Sequence, residues 1–161
     1  MQCEYRSARE GDLPALRELW KEAFWDGDRF LDQFFEGPFA PERSRVAVVE
    51  GAVSGALYWF PASCRGQSLA YLYGVATAAR LRGRGLCSGL MADTQAYLSA
   101  QGIDGMLLVP GSASLFRFYA RLGYAPCCPQ GRMKVQAAGP ALPLKPVSPR
   151  RYGDCLLYTS D

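Results

Sequence analysis

The sequence contains no histidine among its 161 residues. This removes the commonest general base, the serine and cysteine triads that depend on an imidazole, and most catalytic zinc sites. Chemistry on this chain must run on tyrosine, carboxylates, cysteine, backbone groups or bound water. No Cys-x-x-Cys pair occurs among the six cysteines, and Cys127 and Cys128 are adjacent, poor spacing for two ligands of one structural zinc. No metal site is expected. No apolar run is long enough to span a bilayer, and Met1 to Asp12 is polar, without a secretory hydrophobic segment. The expectation is a cytoplasmic chain with no membrane partner and with cysteines mostly free and buried. A large excess of one charge is also lacking. Eighteen basic residues against fifteen acidic ones leave +3, too little to suggest a nucleic-acid footprint. There is no internal repeat.

What is present is an apolar share of 49%, enough for one domain with a real core. Gln2 to Ala8 reads as a first strand. Asp12 is a candidate N-cap and Pro14 lies in the first turn of a helix whose apolar face is Leu13, Leu16, Leu19, Trp20, Ala23 and Phe24. Trp25 to Asp28 is a turn. Phe30, Leu31, Phe34 and Phe35 then mark a second helix, ending near Gly37-Pro38. Ser44–Val49 and Val53–Phe60 read as a hairpin closed at Glu50-Gly51, Pro61 to Gln67 as a loop, and Leu69–Ala76 as a third strand. A helix follows from Leu86 to Ala100, terminated by Gly102. Gly105–Val109 is a short strand, parallel to Leu69–Ala76 through that helical crossover. Ser112 or Ser114 caps a last helix carrying Leu115, Phe116, Phe118, Tyr119 and Leu122, closed by Gly123. Tyr124–Cys128 and Arg132–Gln136 read as strands. The order predicts an α/β chain (mixed α+β), a central mixed sheet flanked by helices.

The expected domain covers residues 1–136. Residues 137–154 hold four prolines without periodicity and read as a linker or the start of a downstream region. Residues 155–161 read either as a non-native tail, resembling translated adapter, or as a natural final strand.

The chemistry-bearing stretch is Arg80-Leu81-Arg82-Gly83-Arg84-Gly85-Leu86-Cys87. It joins a strand to a helix N-terminus. The first amides of a helix lack internal partners and its dipole favours an anion there. Gly83 and Gly85 let backbone approach a ligand closely, and three arginines add charge. No Gly-Lys-Ser or Gly-Lys-Thr makes it a nucleotide P-loop, and the third glycine of a dinucleotide fingerprint is missing.

Arg82-Gly83-Arg84-Gly85-Leu86-Cys87 resembles the acyl-coenzyme A signature of the Gcn5-related N-acetyltransferase (GNAT) superfamily: Gln or Arg, two residues, Gly, one residue, Gly or Ala. Cys87 stands where Gly or Ala is usual. Leu115-Phe116-Arg117-Phe118-Tyr119-Ala120-Arg121-Leu122-Gly123-Tyr124 is similar to the family's late helix, with its Phe-Tyr pair and Leu-Gly-Phe/Tyr ending. The resemblance covers about residues 1–136. Residues 71–75 and 109–112 look closer to a branch with a further downstream domain, which includes aminoglycoside-modifying members.

The resemblance implies a GNAT-like fold and acetyl-CoA as cosubstrate. Val75 and Ala76 would pair with the pantetheine arm, and one of their N–H groups is the candidate oxyanion donor. Arg80, Arg82, Gly83, Arg84, Gly85, Leu86 and Cys87 would cradle the pyrophosphate. Ser112, Ser114, Phe116 and Tyr119 would complete the cofactor contacts, a serine replacing the family's frequent asparagine. Tyr119 is the implied catalytic acid, returning a proton to the departing thiolate. The partner would be a small-molecule or peptide amine that attacks the thioester directly. For the base, Glu22, Asp26, Asp28, Glu36, Tyr71 and Tyr73 stay open, each with an ordinary packing or solvated role as the alternative. The aromatic group Trp20, Phe24, Trp25, Phe30, Phe34 and Phe35 reads as acceptor pocket or as core. A non-catalytic acyl-CoA sensor and a basic RNA-binding surface are the competing classes, and the sequence leaves homodimerisation open.

Overall fold

A computed structural model describes residues 2–127. The expected strand at Arg132–Gln136, the linker and the terminal tail lie outside the described residues. Those described fall into two compact units, residues 2–108 and 109–127.

The first unit is built on a five-stranded sheet in the order β1 (Cys3–Arg6), β2 (Ser44–Val49), β3 (Ala52–Cys64), β4 (Gln67–Thr77) and β5 (Gly105–Leu107). Neighbours from β1 to β4 are antiparallel, and β5 runs parallel to β4. Helices α1 (Leu13–Phe24), α2 (Asp28–Glu36) and α3 (Leu86–Ser99) complete it. This is the mixed α/β sheet that the element order predicts. No described helix is long and apolar enough to cross a membrane.

Alternation along the strands divides the core between two faces. Val46, Val48, Ala56 and Tyr58 join Leu16, Leu19, Trp20, Leu31 and Phe34 of α1 and α2 in one cluster. Trp20 is its hub, with ring centroids 4.6 Å from Phe34, 5.4 Å from Tyr58 and 5.7 Å from Tyr73. The aromatic group is therefore mainly core, although Phe24 and Trp25 stay exposed. α3 covers the opposite face. Its Leu90 lies beside Gly55, and the Tyr5 hydroxyl occupies the space over Gly89. Burial of Tyr5, with a contact to Cys3, pushes its hydroxyl up to about 12.

On that second face Arg45 of β2 is buried. It donates to Asp93 of α3 at 2.6 and 2.9 Å, and its guanidinium lies 4.4 Å from the Tyr97 ring centre. A buried guanidinium needs such a partner, because desolvating an unpaired charge is costly.

The described cysteines are half-buried (Cys3, Cys87) or exposed (Cys64, Cys127), not mostly buried as expected, and three expectations for the elements change. β3 continues through Pro61 to Cys64, where a loop was expected. Its partner β2 ends at the Ser44–Tyr58 pair, so Pro61 faces β4 on one side only and its missing N–H falls on an open edge. The β3–β4 connection is only Arg65-Gly66, both at positive φ (51° and 79°), as a two-residue hairpin turn requires. Second, Asp12 precedes α1 but does not cap it. Its carboxylate turns back to accept from Arg6 at 2.6 and 3.0 Å and from the Arg9 N–H at 2.8 Å. Third, residues 124–127 form no strand. Pro126 in that run has no N–H to donate.

The second unit carries α4 (Ala113–Arg121). Ser112 is its cap, the Oγ accepting from the Leu115 N–H at 3.4 Å, and Gly123 at φ 91° follows its end.

The Arg6 hydrogen bonds hold the Asp12 carboxyl below the ordinary aspartate value of 3.8. A depressed folded-state value gives stability that is present above the unfolded value and lost as pH falls through the folded one. Urea midpoints should therefore fall below about pH 4, and less steeply in Asp12→Asn. Equal slopes in both proteins would show that the pair contributes nothing to acid sensitivity.

Candidate active site

The site begins at an irregularity in β4. Ala56 pairs with Ala76 and Tyr58 with Tyr73, so two steps on β3 oppose three on β4. The extra residue makes a bulge at Gly74-Val75, which bends the strand and re-aims its backbone. Gly74 sits at φ 58°, and a β-carbon there would lie 2.7 Å from the Trp20 ring and 3.0 Å from Tyr58. Both the backbone conformation and the packing of α1 thus require glycine.

β5 pairs with β4 only from Leu69 to Tyr71. Beyond Tyr71, β4 runs on through the bulge to Thr77 with no described strand on that side. Leu72 to Thr77 therefore offer an open length of backbone donors and acceptors, and Val75 and Ala76 lie within it.

A 3₁₀ turn (Ala79–Leu81) follows, then Gly83 at φ 73° and Gly85 at φ 80°, the residue before α3. A β-carbon on either glycine would meet nothing within 4 Å. Their conformation demands glycine, and the space beside them is open. No side chain caps α3, and the amides of Leu86, Cys87 and Ser88 have no hydrogen-bond partner among the described residues.

The arginines divide their work. Arg80 donates to the Ser54 hydroxyl at 3.2 Å, and the Arg82 Nε donates to the Thr77 carbonyl at 3.0 Å. Both brace the turn against the sheet. Arg84 is exposed, with no ion pair or hydrogen bond among the described residues. Cys87 is half-buried. Burial pushes its thiol up, opposed in part by the neighbouring Thr77 hydroxyl.

The remaining predicted residues belong to the second unit. Ser112 caps α4 and shares a 2.9 Å hydrogen bond with Ser114. Phe116 is exposed. Tyr119 is buried, its ring 5.1 Å from Phe118 and 5.7 Å from Tyr124.

The open β4 edge beside an uncapped helix suits a long ligand with amide groups at one end and phosphates at the other. The acetyltransferase (GNAT) domain family matches residues 4–127. The chain belongs to the GNAT acetyltransferase family.

Solved structures share the fold at low identity. A predicted acetyltransferase with acetyl-CoA from Clostridium acetobutylicum is 17% identical, with a TM-score of 0.66 over 83% of this chain and 96% of that one. Glucosamine-6-phosphate N-acetyltransferase from Arabidopsis thaliana is 15% identical, with a TM-score of 0.62 over 84% and 100%. AAC(6')-Iy, in complex with the bisubstrate analogue CoA-S-monomethyl-acetylneamine, is 17% identical, with a TM-score of 0.69 over 85% and 100%. A search of curated proteins found no match.

Within this GNAT domain the early carboxylates are largely committed elsewhere. Glu22 accepts from the Ala79 N–H at 2.6 Å. Asp26 accepts from the Trp20 indole at 2.8 Å. Asp28 pairs with Lys21 at 2.7 Å, which lowers its carboxyl's pKa. Glu36 is exposed on α2. Tyr71 and Tyr73 lie half-buried on β4, ring centres 6.5 Å apart. Sequence reasoning missed the role of Gly74, although an isolated glycine in a strand pattern is the signal for a bulge.

Gly74→Ala should lower unfolding stability by about 3 kcal/mol, combining roughly 1–2 kcal/mol of left-handed strain with about 1–3 kcal/mol of overpacking. Gly83→Ala should cost only the strain, about 1 kcal/mol. Urea denaturation distinguishes them, and equal losses would show that Trp20 yields to the added methyl group.

Proposed function

We propose that this GNAT domain transfers an acetyl group from acetyl-CoA to a primary amine of a small molecule. The observation that carries the reading is the continuous segment from the Gly74 bulge to the α3 N-terminus, with open backbone along β4 and unused amides at its far end. Acetyl-CoA would supply the acetyl group already activated as a thioester.

Each part of the segment then has a task. The amides of Leu86 and Cys87, approached past Gly83 and Gly85, bind the pyrophosphate with help from the helix dipole. Arg84 adds a free cation, while Arg80 and Arg82 keep the turn in shape. The β4 backbone around Val75 and Ala76 holds the pantetheine amides, and one of its N–H groups polarises the thioester carbonyl. Tyr119 donates a proton to the sulfur as the carbon–sulfur bond breaks. Ser112, Ser114 and Phe116 contact the cofactor near the same helix.

The amine must attack unprotonated. Glu22, Asp26 and Asp28 already accept structural hydrogen bonds, so Tyr71 and Tyr73 are the stronger candidates for relaying its proton through bound water to solvent. The names of the structural neighbours include glucosamine-6-phosphate and an acetylneamine conjugate, both amine chemistry, and this supports a small-molecule acceptor. The reading places the domain in the cytoplasm, where free thiols such as Cys64 and Cys87 stay reduced.

The test is thiol release from acetyl-CoA over a panel of amines, with coenzyme A binding measured in parallel. Tyr119→Phe should lower kcat by about 10²-fold, the lower range for general-acid catalysis, with coenzyme A affinity retained. Arg84→Ala should weaken binding several-fold. Binding without turnover on any amine would favour an acyl-CoA sensor, and absence of binding would sink both readings. An unchanged kcat in Tyr119→Phe would remove the acid role.

A further inference from the structure

Glu22 stands 57 residues from Ala79 in sequence, yet its Oε1 accepts the Ala79 N–H at 2.6 Å. It lies in the last turn of α1, on the helix whose Trp20 occupies the space over Gly74. Ala79 opens the 3₁₀ turn that feeds Arg82 into Gly83. α1 therefore touches the β4 segment at its bulge and again just before the glycine turn.

The other ties of this stretch run to the sheet or within the turn. The Ala78 N–H donates to the Ser54 carbonyl, and the Leu81 and Arg82 N–H groups donate to the carbonyls of Ala78 and Ala79. The Arg80 and Arg82 side chains reach Ser54 and Thr77. Without Glu22, the Ala79 amide loses the acceptor that sets where the 3₁₀ turn starts. A carboxylate accepting from a backbone N–H forms one of the stronger protein hydrogen bonds. An added β-carbon on Gly83 or Gly85 downstream would meet nothing within 4 Å, and the Glu22 contact ties the start of this stretch to α1.

We infer that Glu22 is a positioning residue for acetyl-CoA: it fixes the start of the turn that presents the α3 amides to the pyrophosphate. This rests on the acetyltransferase reading above. It gives Glu22 a role distinct from a catalytic base, since its charge is used on the protein's own backbone and not on the acceptor amine.

The experiment compares wild type, Glu22→Ala and Glu22→Gln. Coenzyme A affinity is measured by calorimetry, KM and kcat by thiol release, and amide hydrogen exchange at Ala79 in the ligand-free protein. Glu22→Ala should weaken coenzyme A binding and raise the acetyl-CoA KM by about tenfold, the size of one charge-assisted hydrogen bond. The loss should fall on KM and not on kcat, and Ala79 should exchange faster. Glu22→Gln keeps an oxygen that can accept and should recover most of the affinity and the protection. Affinity within twofold of wild type in Glu22→Ala would overturn the inference. A loss confined to kcat would overturn it in favour of a base. Failure of the wild type to bind coenzyme A would overturn the acetyltransferase reading and this inference with it, whereas normal wild-type binding with an unaffected Glu22→Ala overturns the inference alone.

Discussion

The Trp20 indole lies where a β-carbon on residue 74 would have to be. That single contact ties the main aromatic core to the bulge in the central sheet. With glycine at 74, the ring can pack close to the β4 backbone and still reach Phe34, Tyr58 and Tyr73. The bulge turns β4 before it reaches Thr77, while β5 has already stopped pairing at Tyr71. The open edge begins where β5 stops pairing, and the Trp20 core packs tightly behind it. A rigid hydrophobic wall supports the part of the sheet that exposes unpaired backbone, which is how a site on a strand can be held in one geometry.

The polar contacts divide between the two faces in a related way. On the α3 face, Arg45 and Asp93 join the middle of the sheet to the middle of the helix. This fixes α3 through its body, away from its uncapped N-terminus. On the other face, α1 uses Trp20, Glu22 and the Asp26 carboxylate in its final turns and just beyond. Two early carboxylates that resemble available bases in the sequence, Glu22 and Asp26, are thereby taken up by the protein's own N–H groups. With no histidine in the sequence, these carboxylates serve the protein's own backbone and indole donors.

Much of the fold was legible because its signals are local. The helical spacing of Leu16, Leu19 and Trp20, the apolar run Val46–Val49 in strand Ser44–Val49 and the Gly102 stop each depend on neighbours in sequence, and α1, β2 and α3 appear with little change at their ends. The glycine turn was legible for the same reason, as was its likeness to the acyl-coenzyme A signature. Pro61 misled because a proline reads as a break unless one knows that the strand beside it has ended. Asp12 misled because it has two uses, and Arg6, six residues earlier, competes successfully for its carboxylate. Gly74 carried a signal, but its meaning depends on a tryptophan 54 positions away.

The sequence by itself determined most of the secondary elements, the family and the position of the basic turn, since these follow from periodicity, turn chemistry and a short contiguous pattern. Only the tertiary structure decided which polar groups remain available. It assigned Arg80 and Arg82 to bracing and left Arg84 exposed, drew Glu22 to the Ala79 amide, and opened β4 beyond Tyr71. Those outcomes depend on which groups meet across long chain separations. A hydrogen bond or a packed ring selects one partner from several of equal chemistry only when the fold brings it within reach.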